Sequence, residues 1–132
     1  MHDKTVTVFC HVGDIWRATV LNNVYFAGHN NITVSTDGEK ASDEYLLMID
    51  IDEGIAAKYI KPKAFEVYEG EDKFTLREGD IVALGEYESG NDLDYMEYGG
   101  FLSYMKSKHD DVYSISTVKR YDVIPHFEVI VK

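Results

Sequence analysis

The chain has 132 residues and a mass of 15.1 kDa, a size that suits one domain built around one hydrophobic core. Its 45% hydrophobic and 28% charged residues are typical of a folded globular protein and exclude an apolar-poor, disordered chain. The 24 Asp and Glu against 13 Lys and Arg give a formal charge of −11, which argues against sequence-specific DNA binding, because that depends on clustered cations.

Aromatic content favours β structure. Ten Tyr, six Phe and one Trp make up 13% of the chain, and such side chains suit half-buried pleated surfaces. The single cysteine, Cys10, permits no intrachain disulfide and is interpreted as a small buried hydrophobe. The polar N-terminus predicts no export signal, and the longest apolar stretch, residues 45–49, is too short to cross a bilayer. We therefore expect a soluble protein.

The first two segments are predicted to be extended. Residues 5–12 alternate polar and apolar side chains and stop at the turn signal Gly13-Asp14, which predicts a strand. Residues 16–27 form another extended stretch, which is interrupted by Asn22-Asn23, a pair typical of a bulge or a tight turn. The segment is therefore either one long bent strand or a hairpin.

The next stretch predicts two further strands joined by polar connections. Residues 28–31 are predicted to form a loop and residues 32–35 a short strand. The Asp-Gly pair within residues 36–40 predicts a turn. Residues 44–52 are apolar on both faces, which indicates a central strand.

The middle of the chain predicts a short helix and a hairpin. Pro62 favours the first turn of a helix running to Val67 or Tyr68, since its missing N–H has no partner there anyway. Two apolar runs, residues 74–76 and 81–84, flank the turn at residues 77–80 and predict a hairpin.

The last third predicts a loop, a helix and two strands. Residues 86–100 are acidic and glycine-containing with no clear period, which is typical of a long loop. Helical spacing further on predicts a short helix within residues 93–108, broken or begun near Gly99-Gly100. Residues 112–121 and 127–132 are extended, with Pro125 between them. The whole chain, residues 1–132, is thus predicted to be one mainly β domain: a small antiparallel β-barrel or sandwich with one or two short helices.

Motifs that carry catalysis or bind cofactors are not recognisable in the sequence. There is no G-x-S-x-G elbow, and the scattered glycines form no phosphate-binding loop. Residues 50–54 are too short to match a calcium loop and are interpreted as a strand end followed by an acidic turn. Histidines at positions 2, 11, 29, 109 and 126 are too widely spaced for a zinc motif. We therefore predict no catalytic residue, no cofactor and no metal site, and expect a protein that is not an enzyme.

One segment is nevertheless a candidate for contact with a partner. Residues 86–98 interleave carboxylates with tyrosines. Such a segment is interpreted either as a solvated mobile loop or as a loop that a partner orders, with its tyrosines as anchors. A small hydrolase built on paired carboxylates of raised pKa is a further hypothesis. The predicted partner-contact residues are Glu86, Tyr87, Glu88, Asp92, Asp94, Tyr95, Glu97 and Tyr98.

Short motifs in most of the chain carry a family resemblance. They are residues 2–9, a Trp near the start of the second segment, Tyr59-Ile60-Lys61-Pro62, Gly79-Asp80, and residues 109–118 and 124–129. In this order they resemble a family of small uncharacterised phage and prophage proteins of Clostridia-like bacteria. Such proteins are similar in layout to head-tail joining (stopper) proteins, which are β-barrels that ring the DNA exit channel below the portal.

The resemblance implies a non-enzymatic structural or assembly protein at the head-tail junction of a phage or prophage. Its expected partners are portal, adaptor or tail proteins, with a homo-oligomeric ring in the assembled particle and neither a membrane nor sequence-specific nucleic acid. The expected location is the cytoplasm of the bacterial host during assembly, and then the virion. The alternative is a β-barrel module that binds a ligand or single-stranded nucleic acid, with exposed tyrosines as a stacking platform.

Overall fold

A computed structural model describes residues 2–35 and 38–132 of the chain, and the side chains of residues 2–28 and 44–132. The described residues form seven β-strands, three α-helices and one 3₁₀ helix. The strands are β1 (Lys4–Val12), β2 (Ile15–Ser35), β3 (Gly38–Asp50), β4 (Ile81–Leu84), β5 (Gly90–Asn91), β6 (Val112–Tyr121) and β7 (His126–Val131). The helices are α1 (Glu53–Lys58), α2 (Pro62–Glu66), the 3₁₀ helix Met96–Tyr98, and α3 (Phe101–Lys108).

Six of the strands close into an antiparallel barrel. The strand order is β1-β4-β6-β7-β3-β2, and the pairing of β2 with β1 completes the ring, while the two-residue β5 adds to the outside of β2. Closure gives every strand in the ring a neighbouring strand on both sides, so the ring has no free end strand. The prediction of a mainly β, antiparallel barrel is confirmed.

Strand β2 is one long bent strand rather than a hairpin. Lys4 of β1 lies opposite Val24 and Val6 lies opposite Leu21, so Asn22 and Asn23 form a bulge facing a single residue of β1. Asn23 takes a φ of 58°, a left-handed conformation that asparagine tolerates better than most residues. Beyond the bulge β2 leaves β1 and pairs with β3.

The loop predicted over residues 28–31 is wrong. The backbone there pairs in register with β3, from Gly28 opposite Tyr45 to Asn31 opposite Ser42, so β2 continues to Ser35. Main-chain pairing overrides the weak strand preference of glycine and asparagine. The turn predicted within residues 36–40 lies partly outside the described residues, which resume with Gly38 as the first residue of β3.

The predicted hairpin of residues 74–76 with 81–84 is also wrong. Strand β4 pairs with β1 and β6, whereas Phe74 forms a single parallel bridge with Tyr59. The turn at residues 77–80 is present, with Gly79 at a φ of 92°. Helix α1, which was not predicted, follows β3 and is capped by Asp52, whose side chain accepts a hydrogen bond from Ile55 N–H.

The remaining elements follow the predictions more closely. Helix α2 begins at Pro62 as expected but ends at Glu66. Helix α3 is the second half of the predicted 93–108 helix, because Gly99 and Gly100 take φ values of 85° and 112° that interrupt it. Strands β6 and β7 match the two extended segments predicted at residues 112–121 and 127–132, and they pair with each other.

Strand β1 is buried on both faces, because its outer face packs against α3, beside which the candidate site lies. Val6, Val8 and Cys10 belong to the main core inside the barrel, together with Leu47 and other strand residues. Phe9 points the other way, into a second core in which Phe101 and Met105 of α3 pack on the barrel wall. Helix α3 therefore covers the outside of the barrel at β1 and β4. The full second core is Phe9, Ile81, Ala83, Phe101, Met105 and Val112.

Candidate functional site: an acidic and aromatic surface beside α3

The predicted acidic segment follows β4, and hydrogen bonds hold its first residues against β1. Thr7, which is fully buried, donates a hydrogen bond from Oγ1 to the carbonyl of Gly85 at 2.8 Å and accepts one from Tyr87 N–H at 3.0 Å. Three residues later Gly90 of β5 lies opposite Trp16 of β2. The segment is thereby attached to both β1 and β2 before it reaches its most acidic part.

Gly90 allows the segment to lie close to α3. A Cβ atom at this position would come within 2.0–2.6 Å of ring atoms of Phe101, which is closer than non-bonded carbons approach. The Phe101 ring is itself held in the second core, 5.0 Å from the ring of Phe9 in an edge-on arrangement. Only glycine therefore fits at position 90 without displacing Phe101.

Asp92 is the main polar link between the segment and the barrel. Its Oδ1 accepts hydrogen bonds from the Trp16 indole N–H at 2.9 Å and from Phe101 N–H at 3.1 Å, at the start of α3. Its Oδ2 lies 3.0 Å from Nε2 of His11, whose ring stacks on Trp16 with a centroid distance of 4.2 Å. One carboxylate thus joins β1, β2 and α3.

The electrostatics of Asp92 agree with this role. Burial raises the pKa of its carboxyl, but the hydrogen bonds from Phe101 and Trp16 and the nearby His11 outweigh that effect, so the net pKa lies below 3.8. A general acid needs a raised pKa, so the shift at Asp92 is opposite to the one the hydrolase hypothesis requires.

Tyrosines of the segment pack on α3. Tyr95 stacks on Tyr104 with a centroid distance of 4.1 Å, and Tyr98 meets Tyr104 edge-on at 5.1 Å. The amino group of Lys108 lies 5.8 Å from the centre of the Tyr98 ring. The segment is therefore folded onto the barrel and α3.

The eight predicted contact residues divide into two groups. Tyr87, Asp92 and Tyr95 are half-buried and face the barrel or α3. The other five are exposed: Glu86, Glu88, Asp94, Glu97 and Tyr98. The first group holds the segment in place, and the second is accessible to another molecule.

Two exposed apolar side chains were missed by the sequence reasoning. Leu93 is 60% exposed and Met96 is 70% exposed, next to Tyr98 at 40%. Their signal was available, since a leucine and a methionine in an otherwise acidic segment have no predicted core to join. We call Leu93, Asp94, Met96, Glu97 and Tyr98 the 93–98 face; Tyr95, between them, turns inward.

A cavity of about 470 Å³ lies between residues 86–89 and α3. We call it the tyrosine cavity. It is lined by Glu86, Tyr87, Glu88, Ser89, Tyr95, Phe101, Tyr104, Met105 and His109.

Cys10 lies on the opposite side of β1, in the barrel interior. It is 1% exposed, and its thiol donates a hydrogen bond to the carbonyl of Thr75 at 3.3 Å. Burial raises the pKa of the thiol to about 11. Reactive cysteines have a lowered pKa, so the shift is that of a buried structural residue, as the sequence predicted.

Within the part of the chain that the structure describes, we find no group of three or more His, Cys, Asp or Glu side chains arranged to hold a metal ion. The helices in that part are all too short or too polar to cross a membrane. Comparison with known proteins gives a match of residues 1–132 to the model of a "Family of unknown function (DUF6751)". Neither the curated proteins nor the solved structures contain a significant match.

Proposed function

We propose that the chain, which belongs to this family of unknown function, is a non-enzymatic assembly protein that binds a basic partner protein through the 93–98 face. The proposed setting is the head-tail junction of a phage or prophage, with a portal, adaptor or tail protein as the partner. The observation that carries the proposal is the exposure of Leu93 and Met96 among carboxylates, on a segment that is otherwise firmly attached.

The composition of the face supports a protein partner. Exposed single apolar residues are common, but Leu93, Met96 and Tyr98 lie within six residues of one another. The end of β6 and the β6–β7 turn also expose Tyr121, Val123 and Ile124, but the carboxylate there, Asp122, is paired with Arg120. Interfaces combine apolar anchors with a polar rim, and methionine and tyrosine are among the residue types enriched in them. Asp94 and Glu97 supply that rim.

Charge supports a basic partner. The carboxylates of Asp94 and Glu97 are exposed, and the whole chain carries a formal charge of −11. A surface of this sign accelerates encounter with positively charged surfaces and disfavours polyanions. The same charge would keep a ring at the DNA exit channel from gripping DNA, which is why the head-tail junction is a suitable setting.

The rigidity of the segment supports binding as well. Asp92 and Tyr95 hold the backbone on both sides of Leu93 through contacts to β1, β2 and α3. A preformed surface loses less conformational entropy on binding than a mobile loop. The setting itself is supported by the resemblance of the opening, central and C-terminal motifs to phage and prophage proteins.

The experiment is co-assembly of the purified chain with the portal, adaptor and tail proteins encoded in the same genome. The test variant is Leu93→Ser combined with Met96→Ser, which removes both exposed apolar anchors without touching a buried residue. The matched control is Val123→Ser, since Val123 is 99% exposed but lies in the β6–β7 turn.

We expect the unchanged chain and Val123→Ser to form a complex with one of these proteins, and the double variant to lose it. High salt is expected to weaken the complex, because surface charges are screened. Failure of all head-tail proteins to bind would refute the proposed setting. Equal binding by the double variant and the control would refute the 93–98 face as the contact surface.

A further inference from the structure

We propose that the tyrosine cavity binds the guanidinium group of an arginine side chain, and that this arginine belongs to the protein partner. The inference rests on the proposed function, because it names the chemical group that the partner presents. It draws on a different set of residues, since of the cavity lining only Tyr95 lies within residues 93–98, and its ring turns inward.

The residues that line the cavity differ in how deeply they are buried. Phe101 and Met105 are nearly fully buried and form its floor. Tyr87, Tyr104 and the other rings around it are half-buried, so part of each ring is open to the cavity. The half-buried lining rings are those of Tyr87, Tyr95, Tyr104 and His109.

Carboxylates stand at the outer edge. Glu86 and Glu88 are both exposed members of the lining, and no Lys or Arg is among the described residues that line the cavity. Lys108, which follows α3 residues of the lining in the chain, lies over the ring of Tyr98, outside the lining. The two carboxylates therefore give the cavity a negatively charged edge.

A cavity lined by aromatic rings and carboxylates favours a planar, weakly hydrated cation. Aromatic rings attract cations through the negative potential of their faces, and carboxylates repel anions. A guanidinium is planar and weakly hydrated, so it stacks on rings while its edge N–H groups donate to carboxylates. A lysine ammonium is a compact, strongly hydrated charge that loses more water on entering such a site.

The chain already pairs its own guanidinium groups with rings. Arg77 lies over Phe65 with a distance of 5.2 Å from its guanidinium carbon to the ring centre. Arg120 lies 5.7 Å from the centre of Phe127 and 6.0 Å from that of Tyr59. The tyrosine cavity offers the same kind of ring surface, with added carboxylates, to an arginine from outside.

The lining is held in place before any ligand enters. The Tyr87 ring lies 4.8 Å from that of His109, and Tyr95 stacks on Tyr104. Ser89 Oγ accepts a hydrogen bond from Ala18 N–H at 2.9 Å, which ties this side of the cavity to β2. Binding of a side chain therefore needs little rearrangement of the rings.

The test is titration of the isotope-labelled full chain with N-acetyl-arginine amide, followed by nuclear magnetic resonance. The neutral citrulline amide and the lysine amide serve as matched probes. We expect saturable shifts at residues 86–89 and 101–109 with a dissociation constant on the order of 1 mM for arginine amide. The lysine amide is expected to bind several-fold more weakly, and the citrulline amide not to bind.

Two variants test the carboxylates without disturbing the fold. Glu86→Gln with Glu88→Gln is expected to weaken binding of arginine amide by roughly 3- to 10-fold, since two partly screened ion pairs are lost. Glu97→Gln is the control, because Glu97 is exposed in the same segment but is not part of the lining. It is expected to bind arginine amide as the unchanged chain does.

The inference is overturned if arginine amide causes no saturable shifts, if the citrulline amide binds equally, or if the shifts lie away from the cavity. Tighter binding of lysine amide than of arginine amide would also overturn it. The proposed function fails separately: loss of co-assembly in the Leu93→Ser, Met96→Ser variant would leave binding of arginine amide unchanged. Glu86→Gln with Glu88→Gln is expected to weaken co-assembly only in part, because Leu93 and Met96 still contact the partner.

Discussion

Replacement of Asp92 by alanine is expected to detach the acidic segment from the barrel. The variant removes the acceptor of three groups: the Trp16 indole N–H, Phe101 N–H and Nε2 of His11. Loss of the hydrogen bond at the start of α3 costs about 1 kcal/mol, as for a helix cap. The indole bond contributes about 1 kcal/mol, and the His11 pair up to about 1 kcal/mol because both side chains are partly exposed.

The expected result is a decrease in the free energy of unfolding of about 2–3 kcal/mol for Asp92→Ala. Urea denaturation followed by circular dichroism measures it. Trp16 is the only tryptophan of the chain, so its fluorescence reports the same contact and is expected to shift to longer wavelength as the indole meets water. Asp92→Asn retains an acceptor oxygen and is expected to lose about half as much.

The matched control is Asp94→Ala, which removes an exposed carboxylate two residues away in the same segment. It is expected to change the free energy of unfolding by less than about 0.5 kcal/mol. If Asp92→Ala is as stable as Asp94→Ala and leaves the emission of Trp16 unchanged, then Asp92 does not hold the segment in the way described.

Three further outcomes follow from buried and close-packed positions. Cys10 is expected to resist alkylation by iodoacetamide at about pH 8 in the folded chain and to react in denaturant, since its thiol is buried with a pKa of about 11; rapid reaction of the folded chain, measured by mass spectrometry, would contradict this. Gly90→Ala is expected to lower the free energy of unfolding by about 1–3 kcal/mol, because the added Cβ displaces Phe101. The control Gly28→Ala is expected to be nearly neutral, since its Cβ would meet nothing closer than 3.9 Å. Equal denaturation midpoints of the two variants would refute the close contact. The pKa of Asp92 is lowered in the folded chain, so its contribution to stability is present above the ordinary pKa of 3.8 and is lost as the pH falls through the folded pKa. Acid denaturation of Asp92→Asn should therefore lack that part of the loss of stability. An acid profile identical to that of the unchanged chain would contradict the lowered pKa.

The strands that the sequence predicts well are those whose signal is local. Strand β1 shows alternation that needs no knowledge of neighbours, and β6 was predicted from its extended character alone. The predicted bounds of both strands agree with the structure to within a residue. The continuation of β2 through Gly28 depends on pairing with β3 and cannot be seen in the residues themselves. The same holds for β4, whose partners β1 and β6 are distant in sequence. Helix α1 was missed although Asp52 before Glu53 is a capping signal, because residues 50–54 were interpreted as an acidic turn.

The candidate site was predictable in position but not in organisation. Interleaved acids and tyrosines marked residues 86–98, and the structure divides them into an inner and an outer group. That division depends on contacts such as Asp92 with His11 and Trp16, which are separated from it by 81 and 76 positions. The exposed pair Leu93 and Met96 could have been noticed, since they are apolar residues within an otherwise acidic segment.

Hydrogen–deuterium exchange of the chain, alone and with an excess of the portal, adaptor or tail protein that co-assembles with it, tests the proposed contact surface most directly. Backbone amides of residues 93–98 are expected to exchange more slowly in the complex. Those of the exposed β6–β7 turn, residues 122–125, are expected to be unchanged. Protection confined to the β6–β7 turn or to another part of the barrel, with residues 93–98 exchanging as in the free chain, would contradict the proposal.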